Sequence, residues 1–137
     1  MVPSLPAPRG SETVLVVDDE GIVRAWLRRS LETLGYTALT AASGAEALAL
    51  IEGGAAVNLL VTDVIMPGMG GRELGERVAA LLPGLPVLFI SGFERHQIVG
   101  SGQLDGRARL LRKPFTVEEV AIEVRTMLDS AARPSAG

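Results

Sequence analysis

The chain alternates short β-branched apolar runs with longer stretches of helical periodicity. Thr13-Val14-Leu15-Val16-Val17 is apolar on both faces and stops abruptly at Asp18-Asp19, which predicts a strand covered on both sides, as in a parallel sheet. From Glu20 to Leu34 the spacing turns helical. Ile22, Val23, Trp26, Leu27, Ser30, Leu31 and Leu34 share one face, Arg24, Arg28, Arg29 and Glu32 the other, and Gly35 supplies the stop. Trp26, on the apolar stripe, reads as core rather than recognition surface. Tyr36 to Ala41 predicts a second strand. Ser43-Gly-Ala-Glu46 is a capping box that opens a helix through Ala47, Leu48 and Ile51, ending at Gly53-Gly54.

Leu59 to Thr62 predicts a third strand ending in Asp63. The loop Met66-Pro67-Gly68-Met69-Gly70-Gly71 then leads into a helix carrying Leu74, Val78, Leu81 and Leu82. Val87 to Ile90 form a fourth strand closed by Ser91-Gly92. Over Phe93 to Gly106, Gly100 and Gly102 interrupt the pattern, so a short or irregular helix is expected. Ala108 to Leu111 make a fifth strand, followed by Lys113-Pro114. A second capping box, Thr116-Val-Glu-Glu119, starts the strongest amphipathic stretch, with Val117, Val120, Ala121, Val124, Met127 and Leu128 on one stripe. Five strand-then-helix units in succession predict a doubly wound α/β sandwich around a parallel sheet.

Composition narrows the function. The 137 residues suit one core, and 47% hydrophobic against 21% charged residues excludes a disordered body. A net charge of −3 with no Lys/Arg block argues against nucleic-acid or membrane-surface binding. There is no cysteine, which removes thiol chemistry and thiolate metal sites. Residues 1–11, with Pro3, Pro6 and Pro8, read as a linker or tail, residues 12–130 as the folded domain, and residues 131–137 as a second tail.

In doubly wound folds the functional crevice lies beyond the carboxyl ends of the strands. Asp18-Asp19, Asp63 and Ser91 all fall at such ends, and Lys113 lies just past the fifth. Carboxylates held together repel one another, and a hard divalent cation with oxygen ligands resolves that cost. Mg²⁺, with Mn²⁺ as the alternative, suits such a set and leaves one carboxylate free to attack phosphorus. Lys113 then supplies a point charge and Ser91 a hydroxyl for the transferring oxygens.

Val16-Val17-Asp18-Asp19-Glu20, Thr62-Asp63-Val64-Ile65-Met66-Pro67-Gly68-Met69, Ile90-Ser91-Gly92 and Leu111-Arg112-Lys113-Pro114-Phe115 together resemble the response-regulator receiver family of two-component signalling. The likeness covers about Glu12 to Asp129. It implies a flavodoxin-like α/β fold: a five-stranded parallel sheet of order 2-1-3-4-5 with five helices in three layers. By the same resemblance Asp63 is the phosphoacceptor. Asp19 binds the metal directly, Asp18 acts through water, and the backbone carbonyl of Ile65 completes the site. Ser91 contacts the phosphoryl group, and Lys113, aimed by the peptide bond to Pro114, pairs with it.

The implied partner is a histidine kinase or phosphotransfer protein, and the domain catalyses its own aspartyl phosphorylation without being a turnover enzyme. A cytoplasmic monomer or weak dimer is expected, with no nucleic-acid or membrane contact by this domain. The stretches Gly-Met-Gly-Gly-Arg-Glu-Leu and Leu-Phe-Ile-Ser-Gly-Phe are similar to receivers at the C-terminus of hybrid sensor histidine kinases. A single-domain regulator and a portion of such a kinase, itself open to membrane anchoring, both fit.

Two departures from the family pattern stand out. Leu110 occupies the strand position where many receivers carry a switching aromatic. Ile65 and Phe93, which tune phosphoryl lifetime, are both apolar.

Simpler readings exist for each residue alone: Asp18-Asp19 as a helix cap or turn, Asp63 and Ser91-Gly92 as turns, Lys113 as a solvated charge. Their coincidence at one sheet edge outweighs these. His96 reads as a surface residue. Gly68-x-Gly70-Gly71 lacks the Lys-Ser/Thr of a nucleotide loop. A receiver-shaped interaction module that is never phosphorylated is the alternative function. A metal-dependent phosphohydrolase is a third, weakened because Val64-Ile65 offer no acid or base.

Overall fold

A computed structural model describes residues 8–92 and 108–132. Five parallel strands form one sheet: β1 (Thr13–Val17), β2 (Thr37–Ala41), β3 (Leu59–Asp63), β4 (Val87–Ser91) and β5 (Ala108–Arg112), in the order β2-β1-β3-β4-β5. Four helices stand among the described residues: α1 (Gly21–Thr33), α2 (Gly44–Glu52), α3 (Gly71–Leu81) and α4 (Val117–Ala132). This is the doubly wound arrangement the alternating pattern predicts, in the flavodoxin-like strand order the family resemblance implies. The remaining helix of the expected five falls on Phe93 to Gly106, outside the described residues, as do Phe93 and His96.

The apolar runs on both faces of β1, β3 and β4 are explained by two cores. Val14, Val16, Leu59, Val61, Leu88 and Ile90 turn one way, toward Leu27 and Leu31 of α1 and Val120, Val124 and Met127 of α4. Leu15, Val17, Leu60, Val87 and Phe89 turn the other way, toward Ala47 and Ile51 of α2 and Leu74 and Val78 of α3. Burying a Leu or Val side chain contributes about 1.5–3 kcal/mol, so each of the three central strands adds several kcal/mol of apolar burial to both cores.

The Thr116 box closes on itself, whereas at Ser43 the returning glutamate bonds one residue ahead of the cap. Ser43 Oγ accepts from the Glu46 N–H at 3.1 Å, and Glu46 reaches back to the N–H of Ala42 at 3.2 Å. Thr116 and Glu119 bond reciprocally, at 3.1 and 2.8 Å.

Helix α1 departs from expectation. Leu27, Ser30 and Leu31 are buried, but Ile22 is 88% exposed and Trp26 38% exposed. Ile22 and Trp26 sit four residues apart at the rim of the stripe, where the strand edge ends and only the loop after β5 is at hand. Trp26 therefore meets Phe115, ring centroids 5.5 Å apart, instead of entering the core. Leu81, at the end of α3, is likewise exposed. Among the described residues no helix is long and apolar enough to cross a membrane.

Candidate phosphoacceptor site

The parallel register brings the carboxyl ends of β1, β3, β4 and β5 to one edge. Val17 lies opposite Thr62, Asp63 opposite Ile90, and Ser91 opposite Arg112. The residues following these strands line a cleft of about 580 Å³ made by Asp19, Glu20, Asp63, Ile65, Met66, Pro67, Gly92 and Lys113.

Asp63 is the last residue of β3 and is buried. Its carboxylate accepts from the N–H of Ile65 at 3.4 Å. Behind it, α3 begins so close that a Cβ on Gly71 would collide with the Asp63 carbonyl. The Gly71 N–H donates to the Val64 carbonyl at 2.8 Å, which ties the phosphoacceptor loop to the helix start. Gly68, at φ +75°, makes the turn between them.

Asp18 is 0% exposed. One oxygen accepts from the Glu20 N–H at 2.8 Å, while Oδ2 has no hydrogen-bond partner among the described residues. Arg24 clamps the same turn by donating to the Asp18 carbonyl at 2.6 Å. Asp19 is exposed and lines the cleft. Ser91 is buried at the end of β4; its hydroxyl donates to the carbonyl of Gly92, and the side chain itself does not line the cleft.

Lys113 is the only lysine in the chain. Its N–H donates to the Ser91 carbonyl at 2.8 Å, and the peptide bond to Pro114 is cis. The ammonium Nζ lies 3.4 Å from Glu20 Oε1, 3.7 Å from Asp63 Oδ2 and 4.0 Å from Asp18 Oδ2. One cation thus faces three carboxylates drawn from two strand ends and a helix cap.

The electrostatics follow from that imbalance. Burial pushes the Asp18 carboxyl up to about 6, against the pull of the Glu20 N–H, and the charge of Asp63 adds to the rise. Burial also raises Asp63, with Lys113 and the Ile65 N–H opposing. For Lys113, burial works against the charged form, but Asp63, Asp18 and Glu20 outweigh it and the ammonium is held above its ordinary range.

Oxygens of Asp18, Glu20 and Asp63 lie within 4.8 Å of one another. A hard divalent cation suits this all-oxygen set, and Asp18 Oδ2, buried and ion-paired at 4.0 Å but not hydrogen-bonded, is the kind of atom such an ion satisfies. Of the residues expected from sequence, Asp18, Asp63 and Lys113 converge directly, while Asp19 and Ile65 line the same cleft. Glu20 was absent from the expected set. Helical spacing assigns it to the helix that follows, although its place beside an acidic pair at a strand end is the available signal.

Comparison with known proteins agrees with this geometry. The family model described as response regulator receiver domain matches residues 14–125. The chain is 38% identical over 121 residues to Sensor kinase CckA of Brucella abortus, covering 88% of this chain but 13% of that kinase. It is 31% identical to the response regulator receiver protein CpdR of the same organism, covering 86% of this chain and 98% of CpdR. Among solved structures, the receiver domain of the hybrid histidine kinase CckA superposes with a TM-score of 0.72 at 34% identity, over 85% of this chain and 98% of that one. A response regulator receiver protein from Sinorhizobium medicae gives 0.78 at 27% identity, over 88% and 97%. Strand order, edge chemistry and family match converge on one answer: the chain belongs to the response regulator receiver family and is a receiver domain of two-component signalling.

Proposed function

We propose that Asp63 accepts a phosphoryl group from a phosphohistidine of a histidine kinase or phosphotransfer protein, and that the resulting change is the signal. The observation carrying this reading is the Lys113 ammonium 3.7 Å from Asp63 Oδ2 at the mouth of an acidic cleft. An Asp63 oxygen forms its bond to phosphorus as the phosphorus–nitrogen bond breaks, and the electron pair leaves on the donor imidazole. Lys113 neutralises charge on the phosphoryl oxygens, and the Ser91 hydroxyl turns from the Gly92 carbonyl toward them.

Asp18, Asp19, Asp63 and the carbonyl of Ile65 are the residues to hold Mg²⁺, or Mn²⁺ in its place, with Glu20 within reach. The bound ion would offset the carboxylate charge and polarise the phosphoryl oxygens. Residues 12–130 are the receiver unit, active on the cytoplasmic side as a monomer or weak dimer. It serves either as a single-domain regulator, like CpdR, or as the receiver of a larger kinase, like CckA.

The phosphodonor protein would seat on the apolar groove of about 300 Å³ formed by Ile22, Val23, Trp26, Lys113, Pro114 and Phe115. Lys113 belongs to both groove and cleft, so a donor resting there has its phosphoryl group next to Asp63.

The test is labelling by acetyl phosphate, or formation of a beryllofluoride adduct, in Mg²⁺. Labelling that disappears in Asp63→Asn and on chelation is expected. Labelling that persists in Asp63→Asn removes Asp63 from the role, and no response in the intact protein leaves an interaction module that is never phosphorylated.

A further inference from the structure

Glu20 is a carboxylate placed where its helix does not use it. It stands at the N-cap of α1, yet its side chain makes no capping bond. Its backbone is fixed on both sides: the N–H donates to Asp18 Oδ1, and the carbonyl accepts from the Arg24 N–H at 3.0 Å. The side chain, 61% exposed, instead reaches across the cleft and accepts from Lys113 Nζ at 3.4 Å. That is nearer than the ammonium comes to Asp63 or to Asp18.

From this arrangement we infer that Glu20 is a resting-state latch on Lys113, which must release the ammonium before Lys113 can serve a phosphoryl group on Asp63. The inference rests on reading Asp63 as the acceptor. An ammonium suits a latch because it is a compact point charge on a flexible stem, free to swing between partners, whereas an arginine fork locks onto one. The chain has arginine at every other cationic position and lysine only here. A contact made in the ground state and broken on the way to the transition state slows the reaction it precedes. Glu20 is therefore a positioning residue that restrains phosphorylation, and its exposed carboxylate also opposes an anionic donor entering the cleft.

The experiment compares wild type, Glu20→Gln and Glu20→Asp by acetyl phosphate labelling at saturating Mg²⁺. It also follows the Lys113 ammonium by NMR after ¹⁵N-lysine labelling, which in this chain gives a single signal. Glu20→Gln should speed labelling about two- to fivefold, the range of one exposed ion pair, and should shift the ammonium resonance before any donor is added. Glu20→Asp keeps the charge but loses the reach, so it should follow Glu20→Gln in both readouts. Three results would overturn the latch: an unchanged rate in Glu20→Gln, a Glu20→Asp that behaves as wild type, or a Glu20→Gln whose Mg²⁺ affinity, read from Trp26 fluorescence, falls tenfold. The second would leave only a field effect, and the third would make Glu20 a cation ligand. Failure of wild type itself to label would strike the Asp63 reading, whereas labelling of wild type with an unchanged Glu20→Gln strikes the latch alone.

Discussion

The ammonium of Lys113 stands 3.7 Å from the carboxylate of Asp63, joining the loop after β5 to the end of β3 across the sheet edge. With Asp18 and Glu20 also within 4.0 Å of that ammonium, Lys113 is the counter-charge that lets buried acids coexist. Lys113→Met should therefore fold less stably in the absence of divalent cation, by about 1–2 kcal/mol, because it leaves buried carboxylates unpaired. Mg²⁺ should restore much of that loss, and Asp63 labelling should drop at least tenfold even in saturating Mg²⁺. Denaturant titration with and without the ion, alongside labelling rates, measures both effects.

Asp18 makes stability fall with rising pH. A free aspartate titrates near 3.8, and burial carries Asp18 to about 6. Between these values the folded chain keeps a proton that the unfolded chain has released. Stability is thus fully present below the lower value and is lost as pH rises through the higher one. The loss is on the order of 3 kcal/mol for this group, and Asp63 is shifted in the same direction. In chelator, melting temperature should decline from pH 4 to pH 7, and Asp18→Asn should flatten the decline. Mg²⁺ should raise the melting temperature of wild type at pH 7 and do so far less in Asp18→Asn. A flat profile in chelated wild type would contradict the assignment.

On the opposite edge of the sheet, Arg125 donates to Glu12 at 2.7 Å and to the carbonyl of Arg9 at 3.1 Å, and lies 2.9 Å from Asp129. The bond from Arg125 holds Glu12 down at about 2, against a partial burial that works upward. For a depressed carboxylate the sign is the reverse of that at Asp18: the stabilisation is present above 4.5 and is lost as pH falls through about 2. Solvent screening leaves about 1 kcal/mol for this pair. Arg125→Ala should cost that amount at pH 7 and little near pH 2, and should speed hydrogen exchange in the segment leading into β1.

The groove beside the cleft separates docking from chemistry. Ile22 is 88% exposed, so Ile22→Asp should change stability by less than about 0.5 kcal/mol. Transfer from a phosphorylated histidine protein should fall at least tenfold if Ile22 is a central contact, about 1.4 kcal/mol or more. Acetyl phosphate labelling, which needs no docking, should keep its rate. Equal losses with both donors would mean that the substitution disturbs the cleft itself.

Much of this is legible in the amino-acid sequence alone. The apolar runs located β1, β3 and β4 to within a residue, because strands covered on both faces leave no polar position to blur their ends. The two Ser/Thr-x-x-Glu boxes marked the starts of α2 and α4 for an equally local reason. The meeting of Asp18, Asp63 and Lys113 followed from strand order, since a parallel sheet sends every carboxyl end to one side. What escaped were matters of reach and rim. Nothing local tells that Glu20 leans toward a lysine 93 residues away instead of capping its own helix. Helical periodicity gives a stripe but not its width, so the pattern places Trp26 and Ile22 in a core that their neighbours Val23 and Leu27 reach and they only flank.

Lys113 forms part of two surfaces at once, the wall of the apolar groove and the cation of the acidic cleft. Any occupant of the first must then feel the electrical state of the second through one side chain. By thermodynamic reciprocity, whatever factor phosphorylation imposes on partner affinity, the partner returns on the phosphorylated state. Affinity for the donor and readiness to be charged are therefore one quantity seen from two sides, and selection on either would move both.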